Sequence, residues 1–161
     1  MSAITLEFDN RLEDHLEAER VFYRSTFWWK GDKVAAVLLV VLGGLCFMSI
    51  SRTWAFVFLP LAVLEWFNLL SLRPLAVRYT FARNPKFRER YRITFSDEGL
   101  HFLTASIDSR IAWTHYSKVL ASKSVILLVY GVRMYTVIPV RAFSSPAEQA
   151  AFMELVRRHV S

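Results

Sequence analysis

VAAVLLVVLGGLCFMSI, residues 34–50, and TWAFVFLPLAVLEWFNLLSL, residues 53–72, decide how this chain is built. The first stretch has no charged side chain, and the second has one, Glu65. Only Ser51 and Arg52 stand between them. A bilayer core of about 30 Å takes about 20 helical residues to cross. Only helices and closed barrels satisfy their own backbone groups in lipid. The pattern therefore predicts a membrane α-helical hairpin, with all the flanking chain on one side. A buried hairpin in a soluble bundle is disfavoured, because core helices seldom run so long without a polar interruption.

The 161 residues suffice for this hairpin and one modest domain. Hydrophobic residues make up 54%, and their concentration in the hairpin leaves flanks of ordinary composition. The net charge of +6 suits a cytoplasmic face against anionic lipid. Nucleic acid would also suit it, but no nucleic-acid motif occurs, so none is expected as a partner. The single cysteine, Cys46, excludes a disulfide or a cysteine-based metal site within one chain. The residues before the first apolar stretch are rich in charge, unlike a cleavable signal peptide.

Both flanks of the hairpin carry interfacial signals. Phe27, Trp28 and Trp29, then Lys30 and Lys33, read as a headgroup-level belt. After the hairpin come Arg73, Arg78, Arg83, Lys86, Arg88, Arg90 and Arg92, against one acid, Glu89. The positive-inside rule then places both termini in the cytoplasm. The bland reading of the run is topology and lipid contact, which makes Arg73, Arg78, Arg83, Lys86, Arg88 and Arg90 candidates for anionic headgroups. A specific protein partner, or a second copy of the chain, is the alternative. Within the hairpin, Gly43 and Gly44 lie about as far before the turn as Leu59 and Pro60 lie after it, a candidate packing point between helices.

Outside the hairpin the periodicity changes. Ile4, Leu6 and Phe8 alternate with Thr5 and Glu7, a short strand with one buried face. Residues 11–23 read as a helix with Leu12, Leu16 and Tyr23 on one face. From Tyr91 a period of two returns: Tyr91, Ile93 and Phe95, a turn at 96–99 with Gly99 suited to positive φ, then 100–104, 107–113, 125–130 and 134–138. Pro139 stops the last strand. Ser145-Pro146-Ala147-Glu148 begins a closing helix as a capping box with proline at its first position. The fold class expected is a membrane hairpin plus α+β, with a small antiparallel sheet or barrel closed by a C-terminal helix. The pieces divide as 1–33, 34–72, 73–90 and 91–161. The strand at 4–8 is too short to stand alone and is expected to join the strands after Tyr91.

Ile93-Thr94-Phe95-Ser96-Asp97-Glu98-Gly99-Leu100, then Ile111-Ala112-Trp113, then Ile138-Pro139-Val140-Arg141-Ala142-Phe143 resemble the YcxB-like family of bacterial membrane proteins. The two apolar spans ahead of this block are similar to the family layout. The resemblance implies a bacterial inner (cytoplasmic) membrane location and a pleckstrin-homology-like cytoplasmic domain. It implies no chemistry, because the family's biochemical role is undefined.

Enzyme signals are poor. No Gly-rich phosphate loop, G-x-S-x-G elbow or H-E-x-x-H motif occurs, and His15, His101, His115 and His159 lack ligand spacing. No catalytic residue, metal or cofactor is expected. Glu65 is the expensive residue, about seven residues inside a span ending at Leu72, with Asn68 on its face at i+3. Its partner would be Arg73, water, another subunit or its own proton. The function expected is a non-enzymatic interaction protein, a regulatory or assembly subunit of a larger membrane complex. An oligomeric proton or ion transport component using Glu65 is the alternative.

Overall fold

The computed structural model describes residues 3–50, 52–69 and 71–160. Ser51, half of the tight turn expected between the apolar segments, lies outside the described residues. The chain is α+β, and it divides into two compact units, Met1–Phe22 with Pro74–Ser161, and Tyr23–Arg73.

The first unit holds the sheets. Strands β1 (Ile4–Asp9), β2 (Arg90–Phe95), β3 (Gly99–Leu103) and β4 (Asp108–Ala112) form one antiparallel sheet in chain order. Strands β5 (Lys118–Ala121), β6 (Val125–Gly131) and β7 (Met134–Pro139) form a second. The N-terminal strand does join the later ones: Ile4 lies opposite Phe95 and Phe8 opposite Tyr91. Its alternation explains this, since Leu6 and Phe8 are buried while Glu7 turns outward to Arg92 at 2.6 Å.

The barrel expected as one possibility does not form. The strands pair as four and three, and no strand pairing links the two sheets among the described residues. They share a core instead. Ile93, Phe95 and Leu100 of the first sheet and Ile126, Leu128 and Ile138 of the second gather with Trp113 and the last helix, α5 (Pro146–His159). That helix contributes Phe152, Leu155 and Val156. Val125, Leu127 and Val129 point to the other face of the second sheet, where Ala18 and Phe22 of helix α1 (Leu12–Arg24) cover them. Strand β6 is therefore buried on both faces, which is why it reads as a continuous apolar run.

Turn chemistry holds the ends. Gly99 has φ +153°, and a Cβ there would stand 2.3 Å from the Ile111 carbonyl oxygen. At the β6–β7 turn the left-handed residue is Arg133 (φ 61°). Ser145 caps α5 by accepting from the Glu148 N–H at 3.2 Å. The Glu148 carboxylate reaches back one residue further than a capping box requires, to Ser144 N–H at 2.6 Å and its hydroxyl at 2.7 Å. Those donors lower its pKa.

The second unit is helical. Helix α2 runs Phe27–Leu45 and continues as one π-helical turn, Cys46–Ile50; helix α3 runs Arg52–Trp66. The belt residues Trp29, Lys30 and Lys33 are thus inside the first helix rather than ahead of it. Trp29–Met48 is long and apolar enough to cross a membrane by length and composition. The second helix is shorter, 15 residues with Pro60 inside it, and does not reach Leu72 as the sequence suggested. Helix α4, Arg73–Arg83, follows where the sequence showed only a basic segment.

Candidate functional site

Helices α2 and α3 pack against each other in opposite directions. Lys33 meets Trp66 near one end, and Gly43 meets Leu59 further along. Small residues lie buried in this unit: Ala36, Cys46, Ala55 and Ala62. A Cβ on Gly43 would stand 2.9 Å from Leu59 Cδ2, so this glycine sets the approach. Gly44 faces open space. Large residues point outward: Leu38, Val41, Leu45, Trp54, Val63, and also Met48 and Phe56, at 84% and 74% exposed.

The end of α3 explains where Glu65 and Asn68 stand. Asn68 has φ 57°, its N–H donates to Glu65 O at 3.0 Å, and the next N–H, of Leu69, donates to Leu64 O at 2.8 Å. This pair of bonds is a Schellman motif, and Asn tolerates the left-handed position it requires. Asn68 therefore terminates the helix and does not extend the face of Glu65. Because the helix stops at Trp66, Glu65 occupies the last turn rather than a position well inside a longer span. Its half-buried side chain has no hydrogen bond or ion pair among the described residues.

Lys33 does what sequence reasoning assigned to no residue. Its ammonium donates to the Trp66 carbonyl oxygen and lies 4.8 Å from the Trp66 ring centroid and 5.8 Å from that of Trp29. A cation there satisfies a carbonyl left over at a helix C-terminus and opposes its dipole. The signal available in the sequence was a lysine four residues after Trp29, but only the pairing of the helices reveals its acceptor.

The basic run separates into groups. Arg73 stacks its guanidinium 3.6 Å from the Tyr23 ring centroid. Arg90 and Arg92 both pair with Glu7, at 3.3 and 2.6 Å, and so belong to the sheet. Glu89 accepts from the Ser106 hydroxyl at 2.7 Å and N–H at 3.1 Å. Arg78 and Arg83 have no carboxylate partner among the described residues; Lys86 is within electrostatic reach of Glu89, whose pKa is lowered first by the Thr104 and Ser106 hydroxyls and in smaller part by that ammonium. The side chain of Arg88 lies outside the described residues.

The histidines have separate neighbours. His15 lies against Phe81 and Phe87, His101 bonds Asp108 at 2.7 Å, and His159 stacks on Trp113 with its Nε2 3.7 Å from Asp97. Among the described residues no group of three or more His, Cys, Asp or Glu is placed to hold a metal ion.

The fold and this surface define an α+β protein with one helix of membrane-spanning length and apolarity. Residues 95–156 match the family model described as YcxB-like protein. The match runs from the end of β2 into α5, over the segment where the sequence resemblance lies. No curated protein and no solved structure matches the chain.

Proposed function

We propose that this is a non-enzymatic membrane protein in which α2 and α3 anchor a two-sheet interaction domain at the cytoplasmic face of a bacterial inner membrane. The observation that carries the reading is the sorting of hairpin residues by size. A helix pair in water hides its large apolar residues and shows polar ones. Here Ala36, Gly43, Cys46, Ala55 and Ala62 lie inside, and most of the leucine, valine, phenylalanine and methionine side chains lie outside. Lipid makes that arrangement favourable, because helices there gain from close backbone approach and lose nothing by exposing leucine. At 1.5 Å per residue, α3 extends about 22 Å, short of the hydrocarbon core by a margin that local thinning of the bilayer absorbs. Lys33 would carry its charge toward the headgroups from within the helix.

Two further features support the cytoplasmic module. Arg78 and Arg83, unpaired among the described residues, and Lys86 follow the hairpin directly, as the positive-inside rule requires. Four strands, then three, then one closing helix suit the pleckstrin-homology-like reading of the domain. In this reading the domain recruits or regulates another component of a membrane complex.

The test is cysteine labelling of whole cells in a Cys46→Ser background. An impermeant maleimide should label Ser51→Cys, and should label Glu13→Cys and Lys123→Cys only after permeabilisation. Release of the protein by alkaline carbonate would refute the anchor. Labelling of Glu13→Cys or Lys123→Cys in intact cells would refute the orientation.

A further inference from the structure

We infer that α4 lies along the membrane surface, with Leu75 and Tyr79 among the acyl chains and Arg78 and Arg83 on anionic lipid headgroups. This rests on the anchored hairpin proposed above and adds a second, distinct contact with the bilayer.

Helix α4 has 11 residues, none of them buried. One face is partly covered: Val77 and Phe81 are half-buried, and the Phe81 ring lies 5.4 Å from His15 and 5.7 Å from Phe87. Another face is apolar and open. Leu75, Tyr79 and Ala82, at i, i+4 and i+7, form a stripe, with Leu75 and Tyr79 at 59% and 58% exposed. At 100° per residue, Arg78 falls about 60° to one side of Leu75 and Arg83 about 80° to the other. The cations therefore flank the stripe. Arg83 holds its guanidinium 4.6 Å from the Tyr79 ring centroid, and no carboxylate pairs with either arginine among the described residues. An apolar stripe bordered by arginines, on a helix too short and too charged to cross, suits a place in the membrane interface.

Connectivity selects the bilayer over a protein partner. Only six residues separate the end of α3 from Arg73, and Phe67, Leu69 and Leu72 among them are exposed. Arg73, the first residue of α4, stacks on Tyr23, on the chain leading into α2. The helix thus begins where the anchor would leave the hydrocarbon.

The experiment uses the full chain in a Cys46→Ser background, reconstituted in liposomes of phosphatidylcholine with or without phosphatidylglycerol. Spin labels go singly on Leu75→Cys, Tyr79→Cys and Thr80→Cys, and on Val40→Cys and Val57→Cys in the hairpin. Collision with oxygen against a water-soluble nickel chelate reads depth. Leu75→Cys and Tyr79→Cys should favour oxygen several-fold more than Thr80→Cys does. Adding Arg78→Glu and Arg83→Glu should erase that preference in phosphatidylglycerol liposomes and leave the hairpin labels unchanged. Lipid-exposed hairpin labels with nickel-accessible Leu75→Cys and Tyr79→Cys would overturn this inference and keep the anchor. Shielding of both positions from both reagents would mean a protein cover, and would overturn it too. Indifference to the charge reversals would remove the headgroup contact. Nickel-accessible Val40→Cys and Val57→Cys would take the anchor down, and the inference with it.

Discussion

Arg141 closes on Asp14 across 127 positions of the chain, its Nη1 donating to Oδ1 at 2.5 Å. The same guanidinium donates through Nη2 to Asp9 O at 2.8 Å, and the second Asp14 oxygen accepts from Arg11 N–H at 3.1 Å. Asp14 is buried, and a buried carboxylate persists only when paired and hydrogen-bonded. One ion pair thus ties the β1–α1 corner to the turn between β7 and α5, on either side of the helical unit in sequence.

Breaking that tie should be costly. Asp14→Ala leaves Arg141 partly buried without its anion, and should destabilise the sheet unit by about 3 kcal/mol. That is the low end for a broken buried pair, because the Arg141 side chain is 33% exposed. Arg141→Lys keeps the charge but cannot reach both Asp14 and Asp9 and should cost less. Thermal unfolding in mild detergent reads the two variants. An unchanged midpoint for Asp14→Ala would show that the pair contributes nothing.

The edge strand offers a second measurement. Leu6 is 1% exposed and sits opposite Ile93. Leu6→Asp would bury an unpaired carboxylate there, costing about 3 kcal/mol or more through lost packing and desolvation together. Proteolysis should then cut within the later strands, although the substitution lies more than 80 residues away in sequence. Protection equal to wild type would mean that β1 is dispensable to the sheet.

His15 makes stability depend on pH. Burial lowers its pKa, and the neighbouring Asp14 only partly opposes this. The folded state therefore binds the proton less readily than the unfolded state does, and stability rises with pH. The contribution is complete above the ordinary histidine value of about 6.5 and fades as pH falls below it toward the folded value. Wild type should lose more melting temperature than His15→Leu between pH 7.5 and 5.5. Parallel losses in the two proteins would assign the effect to other groups.

The two adjacent glycines should behave differently. Gly43→Val drives methyl groups against Leu59 and should cost about 1 kcal/mol or more, as overpacking does. Gly44→Val meets open space and should be near neutral. Detergent-resistant folding of the pair, read by circular dichroism on heating, distinguishes them. Equal effects would mean that the helices do not approach at Gly43.

Glu65 separates an interaction protein from a transporter. It lies in the last turn of α3 with Asn68 spent on the cap, so a proton path would have to begin at the edge of the hairpin. We expect no proton flux from the wild-type protein in liposomes. We expect a smaller complex on native gels for Glu65→Leu and an unchanged one for Glu65→Gln, which keeps a hydrogen-bonding group. Robust flux abolished by both substitutions would favour transport.

The apolar hairpin, the alternation at Leu6 and Phe8, the doubly apolar β6, Gly99 and the Ser145 cap are all legible in the chain, because each is a local pattern repeating at the period of its own element. The family resemblance rests on the same turn and core residues. What the sequence could not deliver depends on which distant residues meet. The six later strands and the early one divide as four and three only because two apolar faces find a common core with Phe152. Asn68 looked like a partner for Glu65 because a helix was extrapolated through it. A left-handed backbone at Asn68 ends that helix, a role asparagine takes at a helix C-terminus as readily as that of a polar partner. The basic run looked uniform until Glu7, 83 and 85 positions away, claimed Arg90 and Arg92 and left Arg78 and Arg83 beside an open apolar stripe. Periodicity belongs to a segment, whereas partners are assigned only when segments pack, and in this protein the candidate contacts are defined by which charges packing leaves unpaired.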